Sequence, residues 1–361
     1  MQHLFLTGST GFIGVRLLRK WLTDSSALIT LMMRPRDAVS PRQRLGDLLR
    51  TLERNGPAGD YADRITIIEG DLGLPELGLS KDDRLRLRQT VTHIIHCAAS
   101  VRFDLDLGEA RRINNRGTQE MLSLAHRCHQ LQRFDYLSTA YVAGCRNGCI
   151  REDELDVGQE HHNNYERSKF EAEKLVAAAS RKLPVAIHRP SIVICDSETG
   201  ELPRHSPFYR LLKYYAAGTL RCMPGSPDAC FDLVPVNFVV DALFELARRD
   251  ESLGRCFHLS AGCNATITLG DILDISSRYL ERPVPRLISG EEFEHLARTC
   301  NDDASADSSL FEELTLYSPY LNSKLRFDNS NLLSTLRANP LEQPAFSSYF
   351  NLILDYVAHD G

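Results

Sequence analysis

The 361-residue chain lacks any apolar run long enough to cross a bilayer; its longest apolar stretches, such as LITLMM at 28–33, suit a buried strand. It lacks a Cys-x-x-Cys pair, although ten cysteines are scattered from Cys97 to Cys300, and Cys145 and Cys149 have no histidine cluster beside them. That pattern argues against a zinc site and predicts reduced thiols used as small packing residues, in keeping with a cytoplasmic location. Positive charge is in short supply. With 42 Lys and Arg against 48 Asp and Glu, the net charge of -6 argues against a nucleic-acid partner. The N-terminal MQHLFLTG lacks the long apolar core of a signal peptide. No internal repeat is present, and NDDASADSS (301–309) reads as a small acidic loop. What remains, 43% hydrophobic and 25% charged, has the composition of a soluble globule with enough length for a substantial core.

Strand-like and helix-like segments alternate through the first half. HLFLTG is followed by the helical FIGVRLLRKWL, then by ALITLMM. A polar insertion carries its own helical piece, RQRLGDLLRTLER, before RITIIEGD and THIIHCAA. A helix is expected over 108–131, a strand at RFDYLSTAYV, a helix over 163–181 and a strand at VAIHRPSIVI. Apolar runs with little alternation predict strands buried on both faces, and their alternation with helices predicts right-handed crossovers. The fold class is therefore α/β: a Rossmann-type doubly wound parallel sheet with a smaller, mostly helical C-terminal subdomain that binds substrate. RCFHLS reads as a last strand returning to the sheet. The expected division is 1–195 with 233–262 for the nucleotide-binding domain, and 196–232 with 263–361 for the substrate-binding subdomain.

TGSTGFIG places Gly8, Gly11 and Gly14 between the first strand and the first helix. Glycines there let the backbone turn tightly, approach a pyrophosphate and pack helix on sheet, while the helix N-terminus favours an anion. Residues Gly8, Ser9, Thr10, Gly11, Phe12, Ile13 and Gly14 thus form a candidate dinucleotide-binding loop. At the end of the second strand an acid would bond a ribose hydroxyl, whereas an arginine would accept a 2′-phosphate. The chain offers Arg34 there, followed by Arg36, Arg42 and Arg44, with Asp37 as the competing signal later in the loop. A guanidinium suits phosphate, so the expected cofactor is NADP(H), bound through Arg34 and, to a lesser extent, Arg44.

Tyr165 and Lys169 lie four residues apart, on one face of the expected helix, with Ala172, Leu175, Val176 and Ala179 continuing the stripe. Together with the glycine loop, HCAAS, NNRGT and LSTAYV, this Tyr-x-x-x-Lys pair resembles the extended short-chain dehydrogenase/reductase superfamily. More narrowly, IIEGDLGLPELGLS, HIIHCAASVRFD, NYERSKFEAEKLV and DLVPVNFVVDAL are similar to its thioester reductase branch, the fatty acyl-CoA reductase-like, male sterility-type NAD-binding proteins. The resemblance covers residues 1 to about 260, and LRFDNSNLLSTL is similar to the family's closing segment.

The resemblance implies a site. Tyr165 is expected as general acid for the oxygen of a carbonyl that receives hydride, and Lys169 as the cation that lowers its pKa and bonds the nicotinamide ribose. Thr139 is expected to hold the substrate oxygen. Ser138 competes for that role, since alternation along a strand lets only one of the two face the site. Asp71 and Leu72 are implied beside the adenine, Ala98 and Ala99 along the cofactor, and Pro190 near the nicotinamide. Asn114 matches the superfamily's helix asparagine with a structural role, while Asn115 departs from the usual apolar residue. His93 and His96 read as satisfied strand-end residues. Phe103, Phe208, Tyr209, Tyr214 and Tyr215 are open between an acyl-channel wall and ordinary core.

The implied activity is reduction of an acyl thioester, carried on coenzyme A or on a carrier protein, to an aldehyde or on to an alcohol. With no adenylation or carrier domain before Met1, the expectation is a free-standing reductase that takes its thioester in trans. Two other readings use the same fold: an extended dehydrogenase or epimerase acting on a ketone, a sterol-like alcohol or a nucleotide sugar, and a non-catalytic NADP-binding regulator.

Overall fold

The computed structural model describes residues 2–34, 39–54, 61–203, 206–300 and 306–359. The seven strands that build the main sheet are β1 (His3–Thr7), β2 (Leu28–Met33), β3 (Ile65–Glu69), β4 (His93–His96), β5 (Arg133–Leu137), β6 (Val185–Pro190) and β7 (Cys256–Leu259). Every pairing is parallel, in the order β7-β6-β5-β4-β1-β2-β3. The order reverses beside β1, so the crevice at the carboxyl ends of β1 and β4 is the topological switch point where such sheets bind ligands. RCFHLS does return to the sheet, as β7 on the outer side of β6.

Strand alternation divides the core in two. Leu4 and Leu6 of β1, Ile29 and Leu31 of β2 and Ile95 of β4 face a layer formed by α1 (Phe12–Asp24) and the later helix Val236–Leu246. Trp21 meets Phe244 edge-on in that layer, with ring centroids 5.1 Å apart. Phe5, Met32, Ile94, Phe134 and Tyr136 face the opposite layer. That layer is formed by α3 (Lys81–Thr90), α5 (Gly117–His126) and α6 (Asn164–Ala179), α2 being Pro41–Arg54 and α4 Leu107–Ala110.

The single helix expected over 108–131 is instead α4, a π turn over Arg111–Arg116, and α5. The widened turn carries Asn114, whose side chain leaves the helix to bond the Ser100 backbone: its Oδ1 accepts from Ser100 N at 2.8 Å, and its Nδ2 donates to Ser100 O at 3.0 Å. Local competition of this kind is a known cause of π turns at sites. Asn114 Nδ2 also donates to Ser168 Oγ at 3.0 Å, tying the loop after β4 to α6.

The C-terminal residues form helices α9 (Leu269–Leu280), α10 (Gly290–Cys300), α11 (Ala306–Tyr317), α12 (Ser330–Thr335) and α13 (Phe346–His359), after α7 (Pro207–Ala216) and α8 (Val236–Leu246). Of the aromatic residues in α7, Tyr209 packs with Phe350 and Ile353 of α13, and Tyr215 with Leu314 of α11, so this helix is a core element. A short parallel pairing of Gly148–Ile150 with Leu325–Phe327 brings the end of the chain back to the sheet domain. Cys149 of that pairing is joined to Cys263, with Cα atoms 6.0 Å apart, within the range a disulfide spans. The expectation of reduced thiols throughout is corrected at these two positions. Their 114-residue separation concealed the pair, because only the tertiary fold brings the loop after β7 to the Gly148–Ile150 strand. Among the described residues no helix is long and apolar enough to cross a membrane, and no group of three or more His, Cys, Asp or Glu is arranged to hold a metal.

Candidate active site

The glycine loop leaves β1 with Gly8 at φ 79°, a left-handed conformation suited to glycine. A Cβ on Gly8 would lie 2.7 Å from Ala98 N, and one on Gly14 would collide with the Gly8 carbonyl. Gly11 N donates to Gly8 O at 3.0 Å, and Gly11 caps α1 without any side-chain bond to the helix's first N–H groups. Those donors and the helix dipole make an anion cradle that side chains would fill. Ser9 Oγ is buried with no partner at this turn, while Thr10 is exposed. Phe12 and Ile13 are half-buried at the start of α1, against the first core layer.

The other expected cofactor residues gather partly around this cradle. Thr7 Oγ1 accepts from Ala98 N at 3.2 Å, holding the Ala98–Ala99 loop against the end of β1. Arg34 is exposed at the end of β2, and its carbonyl accepts from Arg44 Nη1. Arg36 and Asp37 lie outside the described residues, as does the Arg42 side chain. Asp71 turns its carboxylate onto Gly73 N at 2.7 Å, and Leu72 is buried against Gly117. Pro190 ends β6, opposite Leu259. The Gly8–Gly14 cradle, with its orphaned Ser9 hydroxyl and uncapped helix, fits a dinucleotide pyrophosphate.

The candidate catalytic residues come from the ends of β5 and α6. Thr139 follows β5, accepts from Tyr141 N at 3.2 Å to cap the next turn, and bonds the Tyr165 phenol. Its neighbour Ser138 points the other way and donates to Glu173. Strand alternation thus separates the two hydroxyls, leaving Thr139 on the Tyr165 side. Burial is the main reason the Tyr165 phenol is raised to about 12; the Thr139 bond works against it, and the Glu166 charge adds to it. In this arrangement burial outweighs any lowering of the phenol by Lys169.

Lys169 is almost fully buried. Its Nζ donates to Tyr136 Oη and to Leu137 O, both at 2.8 Å, and lies 4.2 Å above the Tyr136 ring. Burial pulls this ammonium down to about 7, against the charge of Glu173 one turn further along α6. Glu173 is itself clamped by Arg189, with Nη2 at 2.6 Å and Nε at 3.0 Å. His96 bonds Thr7 and Thr118 through its two ring nitrogens, and burial holds its pKa down at about 3. His93 bonds Thr92.

An aromatic cover lies over the phenol. Phe103 stacks on Tyr165 with centroids 5.6 Å apart and planes at 18°, and touches Tyr317 and Tyr320. Tyr320 donates its hydroxyl to the fully buried Glu166 and accepts from Asn163 Nδ2 at 2.7 Å. Burial raises the Glu166 carboxyl to about 7. Sequence reasoning missed Tyr136, Glu166, Glu173 and Tyr320. Only Glu173 carried a signal, since it extends the Tyr165–Lys169 stripe by one more turn.

Residues 6–243 match the male sterility protein family of NAD-binding domains. The chain belongs to that family. It thereby lies in the thioester reductase branch of the extended short-chain dehydrogenases/reductases. It is 31% identical over 280 residues to the fatty acyl-CoA reductase wat of Drosophila melanogaster, covering 68% of this chain and 54% of that protein. The chain thus spans about half the length of the curated relatives it matches. The terminal R domain of the myxalamid PKS-NRPS pathway superposes with a TM-score of 0.85 at 28% identity, covering 99% of this chain and 91% of that one. A Bacillus cereus UDP-glucuronic acid 4-epimerase superposes at 0.69 with 18% identity, covering 99% of each chain, a likeness of fold alone.

Proposed function

We propose that the protein reduces an acyl thioester with NADPH, releasing an aldehyde and a thiol. The carrying observation is the face of α6 that sets Tyr165, with the Thr139 hydroxyl acting on its phenol, one turn before a buried and bonded Lys169, in a chain of the thioester reductase branch. Residues Gly8–Gly14, Ala98, Ala99 and Pro190 would hold the dinucleotide, with Asp71 and Leu72 toward the adenine, and NADPH when bound supplies hydride to the thioester carbonyl. Arg34 and Arg44, at the end of β2, support NADPH over NADH through their affinity for a 2′-phosphate.

The chain's own residues manage the oxygen. Thr139 and Tyr165 donate hydrogen bonds to the developing oxyanion, and Tyr165 delivers its proton to give the hemithioacetal. Lys169 supplies the positive charge that favours the phenolate left behind. Collapse of the hemithioacetal breaks the carbon–sulfur bond, re-forms the carbonyl and returns a proton to the leaving thiolate. The fatty acyl-CoA reductase relative supports coenzyme A as the carrier, and the R-domain neighbour supports a carrier-protein arm. Location in the cytoplasm belongs to the same proposal.

The experiment follows cofactor absorbance with a panel of acyl-CoA and acyl-carrier thioesters, ketones and aldehydes, supplied with NADPH or NADH. The expected result is thiol release in step with NADPH loss, at least about tenfold faster than with NADH, the equivalent of one phosphate contact. Turnover of ketones without thiol release overturns the proposal in favour of the dehydrogenase reading.

A further inference from the structure

Beneath Lys169 the site continues into a buried chain of side chains that the proposed chemistry does not use. Lys169 Nζ meets Tyr136 Oη at 2.8 Å, and Tyr136 lies beside Thr118. Thr118 Oγ1 donates to Asn114 O at 2.6 Å and lies 3.2 Å from His96 Nε2. His96 Nδ1 lies 2.8 Å from Thr7 Oγ1, which accepts from Ala98 N. Tyr136, Thr118, His96 and Thr7 are all essentially without solvent exposure.

Hydrogen counting gives this chain a direction. The one hydroxyl hydrogen of Thr118 goes to the Asn114 carbonyl, so Thr118 accepts from His96 Nε2–H. An ammonium can only donate, so Tyr136 meets Lys169 with a phenol lone pair. A phenylalanine would fill the same apolar layer without the cost of burying a hydroxyl. The ring face beneath the ammonium adds a second favourable contact for a cation.

We propose that Tyr136 is a positioning residue of the reaction, whose lone pair and ring face hold the Lys169 side chain beneath the site as an ammonium. The inference rests on the reading that Lys169 acts in catalysis. The groups facing Lys169 are Tyr136 from β5, His96 and Cys97 at the end of β4, and Tyr165 and Glu173 from its own helix, with Arg189 of β6 behind Glu173. His96 is neutral, Glu173 is engaged by Arg189 and Ser138, and among the described residues Leu137 O is the one other acceptor bonded to the lysine. None of these replaces the phenol oxygen.

The test is Tyr136→Phe, which removes a single oxygen, with Thr118→Val as a second variant that changes the polar layer beside Tyr136 and leaves the phenol oxygen in place. Lys169 is titrated directly by the carbon shift of its side-chain methylene beside nitrogen, assigned through its loss in Lys169→Met. The same proteins are assayed for kcat/KM against pH. The expected result is a Lys169 midpoint about one pH unit lower in Tyr136→Phe, with the high-pH limb of activity moving down by the same amount. Above that limb, activity falls about tenfold. Thr118→Val shifts both in the same direction by less. An unmoved midpoint, whatever happens to turnover or melting temperature, overturns the inference. A displaced midpoint in a protein that reduces no thioester leaves the positioning role standing and overturns the functional reading instead.

Discussion

The glycine cradle and the reactive face both lie at the carboxyl end of the sheet, yet they are built from different materials. The cradle is backbone. Gly8 takes a φ of 79°, Gly14 packs against the Gly8 carbonyl, and the donors are the unpaired N–H groups at the start of α1. Its requirements are met within eight consecutive residues, because what it needs most is the absence of side chains. The reactive face is side chain, and its parts come from distant segments: Phe103, Thr139, Tyr165 to Glu173, and Tyr320. A phosphate-binding turn can be specified locally, whereas a set of polarised side chains must be brought together by the whole fold.

The comparison can be broken hardest at Tyr165. If the reactive face carries the chemistry and the cradle the binding, Tyr165→Phe lowers kcat by about a thousandfold while NADPH binds as before. Steady-state turnover and a nicotinamide fluorescence titration read the two separately, and retained turnover would remove Tyr165 from the mechanism. The next effect is on stability. The folded Glu166 carboxyl, near 7, stands above its value of 4.5 in the unfolded chain, because it is buried. Its contribution is therefore fully present below about pH 4.5 and is lost as the pH rises through 7, a loss of roughly 3 kcal/mol. Between pH 4.5 and 8 the parent should lose about that much more stability in denaturant melts than Glu166→Gln, and matching pH profiles would refute the assignment. The smallest effect tests the cradle: Gly14→Ala forces a methyl against the Gly8 carbonyl and should weaken NADPH about tenfold or more, at a cost of about 1–3 kcal/mol. Equal NADPH affinity in Gly14→Ala would show that the turn has slack, and the local half of the comparison would fall.

How much was legible follows the same division. The buried parallel sheet and the return of β7 follow from apolar runs alternating with helices, and the glycine spacing pointed directly to the cradle; the order of the strands came only with the fold. Tyr165 and Lys169 could be paired because four residues of helix put them on one face. Ser138 and Thr139 could not be told apart, since alternation says that one faces the site without saying which. Tyr136 looked like any inward strand residue; its meaning depends on Thr118 and Lys169, which the tertiary fold supplies. Tyr320 and the Cys149–Cys263 pair were invisible, because nothing local marks a residue that meets its partner after more than a hundred intervening positions.

The hydrogen bond from Tyr320 to Glu166 spans 154 residues of chain. During synthesis, at about 5–20 residues per second, Tyr320 emerges many seconds after α6 has left the ribosome. The strands that frame the cradle through β4 are complete well before then, but the roof over the phenol has no tyrosine to close it. The glycine cradle and the aromatic cover over Tyr165 are thus assembled at different moments of this protein's biogenesis.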